Sequence, residues 1–154
     1  MNEKQQIEKV LRGDTSAFGY FVETYQDMAV TIAYRICNNR QDAEDIVQNA
    51  FVKAFHNLRT FRSDSKFSTW FYRIVYNTAL SYINTSVFSA ELVDYAHGAE
   101  SSFSDFDTLD QIEEKEKLAL INQTMEKIPP DESLLLTLFY LEENSIREIV
   151  QITG

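Results

Sequence analysis

Residues 59–77, RTFRSDSKFSTWFYRIVYN, mix aromatic and basic side chains more densely than any other part of the chain. Rings in such a segment can fill a core or stack on bases, and guanidinium and ammonium groups can hold phosphates. Neither role makes or breaks a covalent bond. His56 and His97 belong to no HExxH or ExxH pair, Asp94 lies three before His97 in a polar stretch, and no GxGxxG or GxxxxGK[ST] loop occurs. No nucleophile sits beside a base, so the residues read as those of a protein that is not an enzyme and needs no metal or cofactor. The lone Cys37 has no internal disulfide partner, the first thirty residues lack the apolar run of a signal peptide, and nothing resembles a membrane span. A reducing cytoplasm is the expected setting.

The elements that must position this segment are helices. With four Gly and two Pro in 154 residues, the chain has too few turn formers for an all-β sandwich, while 44% hydrophobic residues suffice for a core. Residues 2–12 carry Ile7, Val10 and Leu11 on one face, with Gly13 placed to end the helix and Asp14 to cap the next. From 15 to about 37, Phe18, Phe21, Val22, Tyr25, Met28, Ile32 and Ile36 step by threes and fours. The third helix, about 41–58, has the most regular stripe: Ala43, Ile46, Val47, Ala50, Phe51, Ala54, Phe55 and Leu58. Asp42, Glu44 and Asp45 crowd its start, where the helix dipole favours carboxylates. A short polar loop follows, and a fourth helix is predicted from Ser68 to about Ile83.

Net charge is −10, unevenly spread: residues 1–83 carry ten Lys/Arg against nine Asp/Glu, and 84–154 carry four against fifteen. Residues 84–110 hold six acids and no Lys or Arg, with Ser, Gly and scattered aromatics, and read as a linker. Helices are expected again over about 109–127, ended by Ile128-Pro129-Pro130, and over roughly 131–141. Ser145 and Glu148 have the spacing of a capping box, so a last helix starts at Ser145 and ends at Gly154 like half of a helix-turn-helix.

Two strings in this frame, DAEDIVQNAFVKAF and FRSDSKFSTWFYRIVYN, resemble region 2 of bacterial sigma factors, in particular the extracytoplasmic-function (ECF) group of the sigma-70 family. The matching positions are Asp42, Glu44, Asp45, Gln48, Phe51, Phe67, Thr69, Trp70, Ile74 and Asn77. The resemblance implies an all-α chain of two domains. Residues 1–83 correspond to region 2, 84–108 to an acidic flexible linker, and 109–154 to the start of region 4, a partial helix-turn-helix cut short before its recognition helix.

The resemblance also implies partners and sites. Asp45, Gln48, Asn49 and Val52 match the side of the third helix that docks on the β′ clamp helices of core RNA polymerase. Phe61, Arg62, Ser63, Asp64, Ser65 and Lys66 match the loop that takes a flipped base of the single-stranded minus-10 element, with Asn77 in reach. Within the following helix, Trp70, Phe71, Ile74 and Val75 share a face and read as core, leaving Tyr72, Arg73, Tyr76 and Asn77 as the candidates for DNA. Such a factor recognises promoters, melts the minus-10 region in initiation, and is commonly held by an anti-sigma factor.

Read without the resemblance, the acids of the third helix simply cap it and Val52 is incidental. The sequence also departs from the family pattern: Ser81, Asn84 and Thr85 stand where cations usually end the DNA-facing helix, and Asn49 replaces an acid. A degenerate homologue, acting as a helical protein-interaction module without promoter reading, is therefore the alternative.

Overall fold

The computed structural model describes residues 2–90 and 109–154. All of its regular elements are helical. Helix α1 (Glu3–Leu11) begins where the Asn2 side chain accepts from the Lys4 amide at 3.2 Å, and it is closed by Gly13 at φ 106°, a left-handed conformation that favours glycine. A single turn, Thr15–Phe18, leads into α2 (Gly19–Cys37). Asp14 does not cap that turn through its side chain; its carboxylate accepts from the Ser16 hydroxyl at 2.6 Å instead. Asn38, left-handed at φ 52°, ends α2, and Asn39 caps α3 (Arg40–Asn57) by accepting from the Asp42 amide at 3.0 Å.

Helices α2, α3 and α4 (Phe67–Ala90) pack on one another around an aromatic core. Phe51 of α3 stacks on Phe71 of α4 at 4.4 Å between ring centroids, and Phe21 of α2 meets Phe67 at 4.3 Å. Phe18 turns an edge towards Phe51 and Phe55. Ala29 and Ala33 on α2, Ala43, Ala50 and Ala54 on α3, and Ala79 on α4 are all buried, and their small side chains let the backbones approach. Helix α4 runs seven residues past its predicted end at Ile83. The polar run Asn84-Thr85-Ser86 does not stop it, because a hydroxyl such as that of Thr85 donates to the Ser81 carbonyl one turn back at 2.9 Å. The rest of the expected linker, 91–108, lies outside the described residues.

The second part comprises α5 (Leu109–Glu126), α6 (Pro130–Leu136), a wide turn at Thr137–Leu141, and α7 (Ile146–Thr153). The capping box is present: the Glu148 amide donates to Ser145 Oγ at 3.2 Å while the Ser145 amide donates to Glu148 Oε2 at 2.8 Å. Leu134, Leu138, Ile149 and Ile152 are buried in the same cluster as the aromatic core, so α6 and α7 cover the first helices. Arg35 of α2 is buried at this junction, donating to Asn122 Oδ1 at 2.8 Å and Thr137 Oγ1 at 3.3 Å, and the Tyr34 hydroxyl donates to Glu126 at 2.9 Å. Leu118 and Ile121 of α5 remain exposed, since the helix touches its neighbours chiefly near its C-terminal end.

Candidate nucleic-acid and polymerase interface

Helix α3 divides cleanly by face. Ala43, Ile46, Val47, Ala50, Phe51 and Ala54 are buried, and Asp45, Gln48, Asn49 and Val52 are all exposed at spacings of three, four and seven. Val52 is 56% exposed, an apolar centre in a polar surround, which suits a protein interface. Two bonds fix this stripe relative to α4. The Tyr82 hydroxyl donates to Asp42 Oδ1 at 2.7 Å, a bond that, with partial burial, pushes the phenol up to about 12, and Lys53 donates to Thr78 Oγ1 at 3.2 Å.

The loop before α4 is held by its first aromatic. Phe61 is half-buried, with its ring 5.2 Å from Trp70 and 5.8 Å from Phe67, whereas Arg62, Ser63, Asp64 and Lys66 are exposed and Ser65 is partly so. Ser63 adopts φ 58°, and this left-handed residue turns the chain back towards the helix start. Lys66 precedes α4, Arg73 follows seven positions later and Asn77 four after that, so the three lie along one helix edge. All are exposed, and Tyr76 beside them is half-buried.

Tyr72 corrects the expectation from helix spacing. It is only 1% exposed, its ring 6.1 Å from that of Tyr25 and its hydroxyl donating to Glu142 Oε2 at 3.1 Å. The physical reason is that α4 is covered twice, by α2 and α3 on one side and by the segment leading into α7 on the other. Burial, reinforced by the Glu142 carboxylate, raises the Tyr72 phenol, and burial raises Glu142 itself. Trp70 departs in the other direction. Assigned to the core by spacing, it is half-buried, and its position four after Lys66 and three before Arg73 places it on the edge with the cations. That spacing was the available signal for a ring able to stack on a base.

On its far side the edge borders α7, leaving a cleft of about 560 Å³ lined by residues including Ser65, Lys66, Arg147 and Glu148. Lys66 Nζ lies 3.0 Å from Glu148 Oε1, and Arg73 Nη1 donates to the Gln151 carbonyl at 2.8 Å. The Ser145 amide, and then Lys66, hold the Glu148 carboxyl below its usual range. Cys37 is half-buried, and burial pushes its thiol up, away from the reactive thiolate. Among the described residues no three His, Cys, Asp or Glu side chains cluster as metal ligands, and no helix is long and apolar enough to cross a membrane.

Comparison with known proteins decides the family. The Sigma-70 region 2 family matches residues 21–86, a span that holds both the α3 stripe and the α4 edge. Over 97% of this chain and 81% of its own length, the RNA polymerase sigma-H factor of Pseudomonas aeruginosa is 32% identical. The chain belongs to the ECF group of sigma-70 factors. Two further ECF factors are similar across almost all of it: SigW of Bacillus subtilis, 32% identical over 97% of this chain and 83% of its own length, and sigma-E of Escherichia coli, 33% identical over 95% and 80%. Among solved structures, an engineered region 2 of sigmaE in complex with GTAAAA, determined by NMR, is 35% identical, with a TM-score of 0.51 over 62% of this chain and all of that one. Sigma factors are transcription initiation factors, and the region 2 match spans the surface just described.

Proposed function

We propose that this ECF sigma factor binds core RNA polymerase, directs it to promoters and holds the melted minus-10 strand during initiation. Catalysis would then belong to the polymerase, in the cytoplasm. The observation that carries the reading is that one compact unit presents two separate exposed surfaces in a chain similar to a sigmaE region 2 solved in complex with GTAAAA. Asp45, Gln48, Asn49 and Val52 form the polymerase surface, facing the β′ clamp helices. Phe61, Arg62, Ser63, Asp64, Ser65 and Lys66 enclose a flipped base, and Trp70, Arg73, Tyr76 and Asn77 follow the strand. Rings supply stacking, Asn77 and the loop hydroxyls supply hydrogen bonds to a base edge, and Lys66 and Arg73 supply phosphate contacts. Residues 1–83 act as region 2 and 109–154 as the first part of region 4. An anti-sigma factor would silence the protein by covering the α3 stripe or by holding the two parts together.

The test uses the chain with core polymerase from its host and a fork-junction promoter whose minus-10 strand is unpaired. Substituting Val52→Asp with Gln48→Ala should abolish capture by polymerase while leaving the helical fold intact. Arg73→Ala with Lys66→Ala should leave capture intact and weaken fork binding at least about tenfold, since two cations that neutralise strand phosphates are lost. Polymerase capture with no fork binding in the unaltered chain would sink the promoter reading and leave the protein-interaction module in its place.

A further inference from the structure

The end of α2 faces the turn between α5 and α6 across a cavity of about 100 Å³, lined by residues that include Tyr34, Arg35, Asn38, Glu126 and Ser133. Two of these are polar and buried, Arg35 at 6% exposure and Ser133 at 2%. The Arg35 guanidinium donates to Asn122 Oδ1 and Thr137 Oγ1, both uncharged oxygens, and no ion pair among the described residues includes it. Burial lowers its pKa, with Tyr34 and Glu126 opposing, yet an arginine keeps its charge inside a protein. It is a buried cation with donors to spare and no carboxylate bonded to it. Ser133 Oγ has no hydrogen-bond partner at all. Elsewhere in these helices the hydroxyls of Thr78, Thr124 and Thr137 donate to the carbonyl one turn back, whereas the Pro129 carbonyl one turn before Ser133 accepts from its amide alone.

A buried cation and an unpartnered hydroxyl lining one cavity suit an acceptor that carries negative charge. Size narrows the choice. A water occupies about 10–15 Å³ of such space, so the cavity takes a cluster of a few atoms, and it falls well short of the roughly 300 Å³ at which pockets hold drug-sized ligands. We propose that this cavity is a binding site for a small tetrahedral oxyanion, phosphate or sulfate, held by Arg35 and the Ser133 hydroxyl between α2 and α6. Arg35 supplies the charge and its remaining N–H groups, and Ser133 supplies one further donor. Glu126 works against the ion. Exposed among the lining residues, its carboxylate accepts from the Tyr34 hydroxyl at 2.9 Å and repels an incoming anion, which keeps binding weak and reversible. None of the lining residues belongs to the α3 stripe or the α4 edge, so the inference does not depend on the proposed function.

An ion bound there bridges α2 and α6, so its binding registers as thermal stability of the full chain. Melting is followed in potassium phosphate, potassium sulfate and potassium chloride at equal ionic strength and neutral pH, and the dependence on phosphate concentration gives an apparent affinity. Phosphate and sulfate also stabilise folded proteins by exclusion from their surfaces, so the variants carry the test. Arg35 ties α2 to Asn122 and Thr137 and is left unaltered. In chloride, Ser133→Ala should melt no lower than the unaltered chain, since it removes a buried hydroxyl that has no partner. In phosphate it should bind the ion about tenfold more weakly, having lost a hydrogen bond to a charged group. Glu126→Gln keeps an acceptor for Tyr34 and should bind phosphate about threefold more tightly, while Glu113→Gln, the same charge change elsewhere on α5, should match the unaltered chain. Adenosine monophosphate, too large for the cavity, should give no shift. Equal gains from phosphate in the unaltered chain and Ser133→Ala, or no gain over chloride in either, overturns the site. Ser133→Ala melting several degrees lower in chloride overturns it too, because the hydroxyl then serves the fold. A shift with adenosine monophosphate as large as that with phosphate overturns the free-ion reading in favour of a nucleotide.

Discussion

Phe71 sits at the convergence of the helices that carry both proposed surfaces. Its ring stacks on Phe51, lies 6.0 Å from Phe67 and 6.4 Å from Tyr25, and has no exposed area. Truncation to Ala removes transferred surface and leaves a cavity that flanking rings cannot close, so Phe71→Ala should lower unfolding free energy by about 3–5 kcal/mol. Urea denaturation followed by far-ultraviolet circular dichroism gives the value; a loss below about 1 kcal/mol would mean that this packing is not the centre of the fold. Two positions along, Arg73 faces outward, and its substitution should act on binding while costing little stability. This contrast between neighbours on one helix is the residue-level form of the division between core and site. Tyr72 lies between them and belongs to the core side, tied through its hydroxyl to a half-buried carboxylate seventy residues away.

Helix α7 is the element whose start is set most clearly by local chemistry. Glu148 accepts from the Ser145 amide and pairs with Lys66, and both contacts hold its folded pKa below the usual carboxylate range. Its stabilising contribution is therefore complete above about 4.5, near the unfolded value, and is lost as pH falls through the lower folded one. The stability gap between the unaltered chain and Glu148→Gln should be constant from neutral pH down to about 5 and shrink as the pH falls further, measured by thermal melts at a series of pH values. A gap independent of pH would mean that the carboxylate charge plays no part. The same box was legible from Ser145 and Glu148 alone, as were the end of α1 at Gly13 and the buried stripe of α3, because caps and periodicity act within four residues. What the periodicity of α4 could not reveal was its second covering layer. Tyr72 looks outward if α4 packs only against α2 and α3, and the partner that buries it is far away in sequence. The proposed α3 surface was marked only by family resemblance, because exposure of Val52 is not a chemical signal by itself.

For the whole molecule, the formal charge of −10 must be reconciled with binding to a polyanion. The acid lies mostly beyond residue 83, and the proposed strand edge has few cations: Arg62, Lys66 and Arg73, with the uncharged Ser81, Asn84 and Thr85 further along the helix. Delivery by polymerase removes the need for a large electrostatic affinity of the factor's own. Duplex DNA offered to the isolated chain at physiological salt should accordingly give no mobility shift. The single strand should bind with a shallow salt dependence, since each neutralised phosphate contributes about 0.7 to the slope of log affinity against log salt. Three contacts give a slope near −2 by that rule, and Lys66→Ala with Arg73→Ala should reduce its magnitude by about 1.4. Anisotropy titrations of the GTAAAA oligonucleotide at several salt concentrations measure it. A steep slope unchanged by the two substitutions would place the phosphates on other cations and move the strand away from the edge of α4.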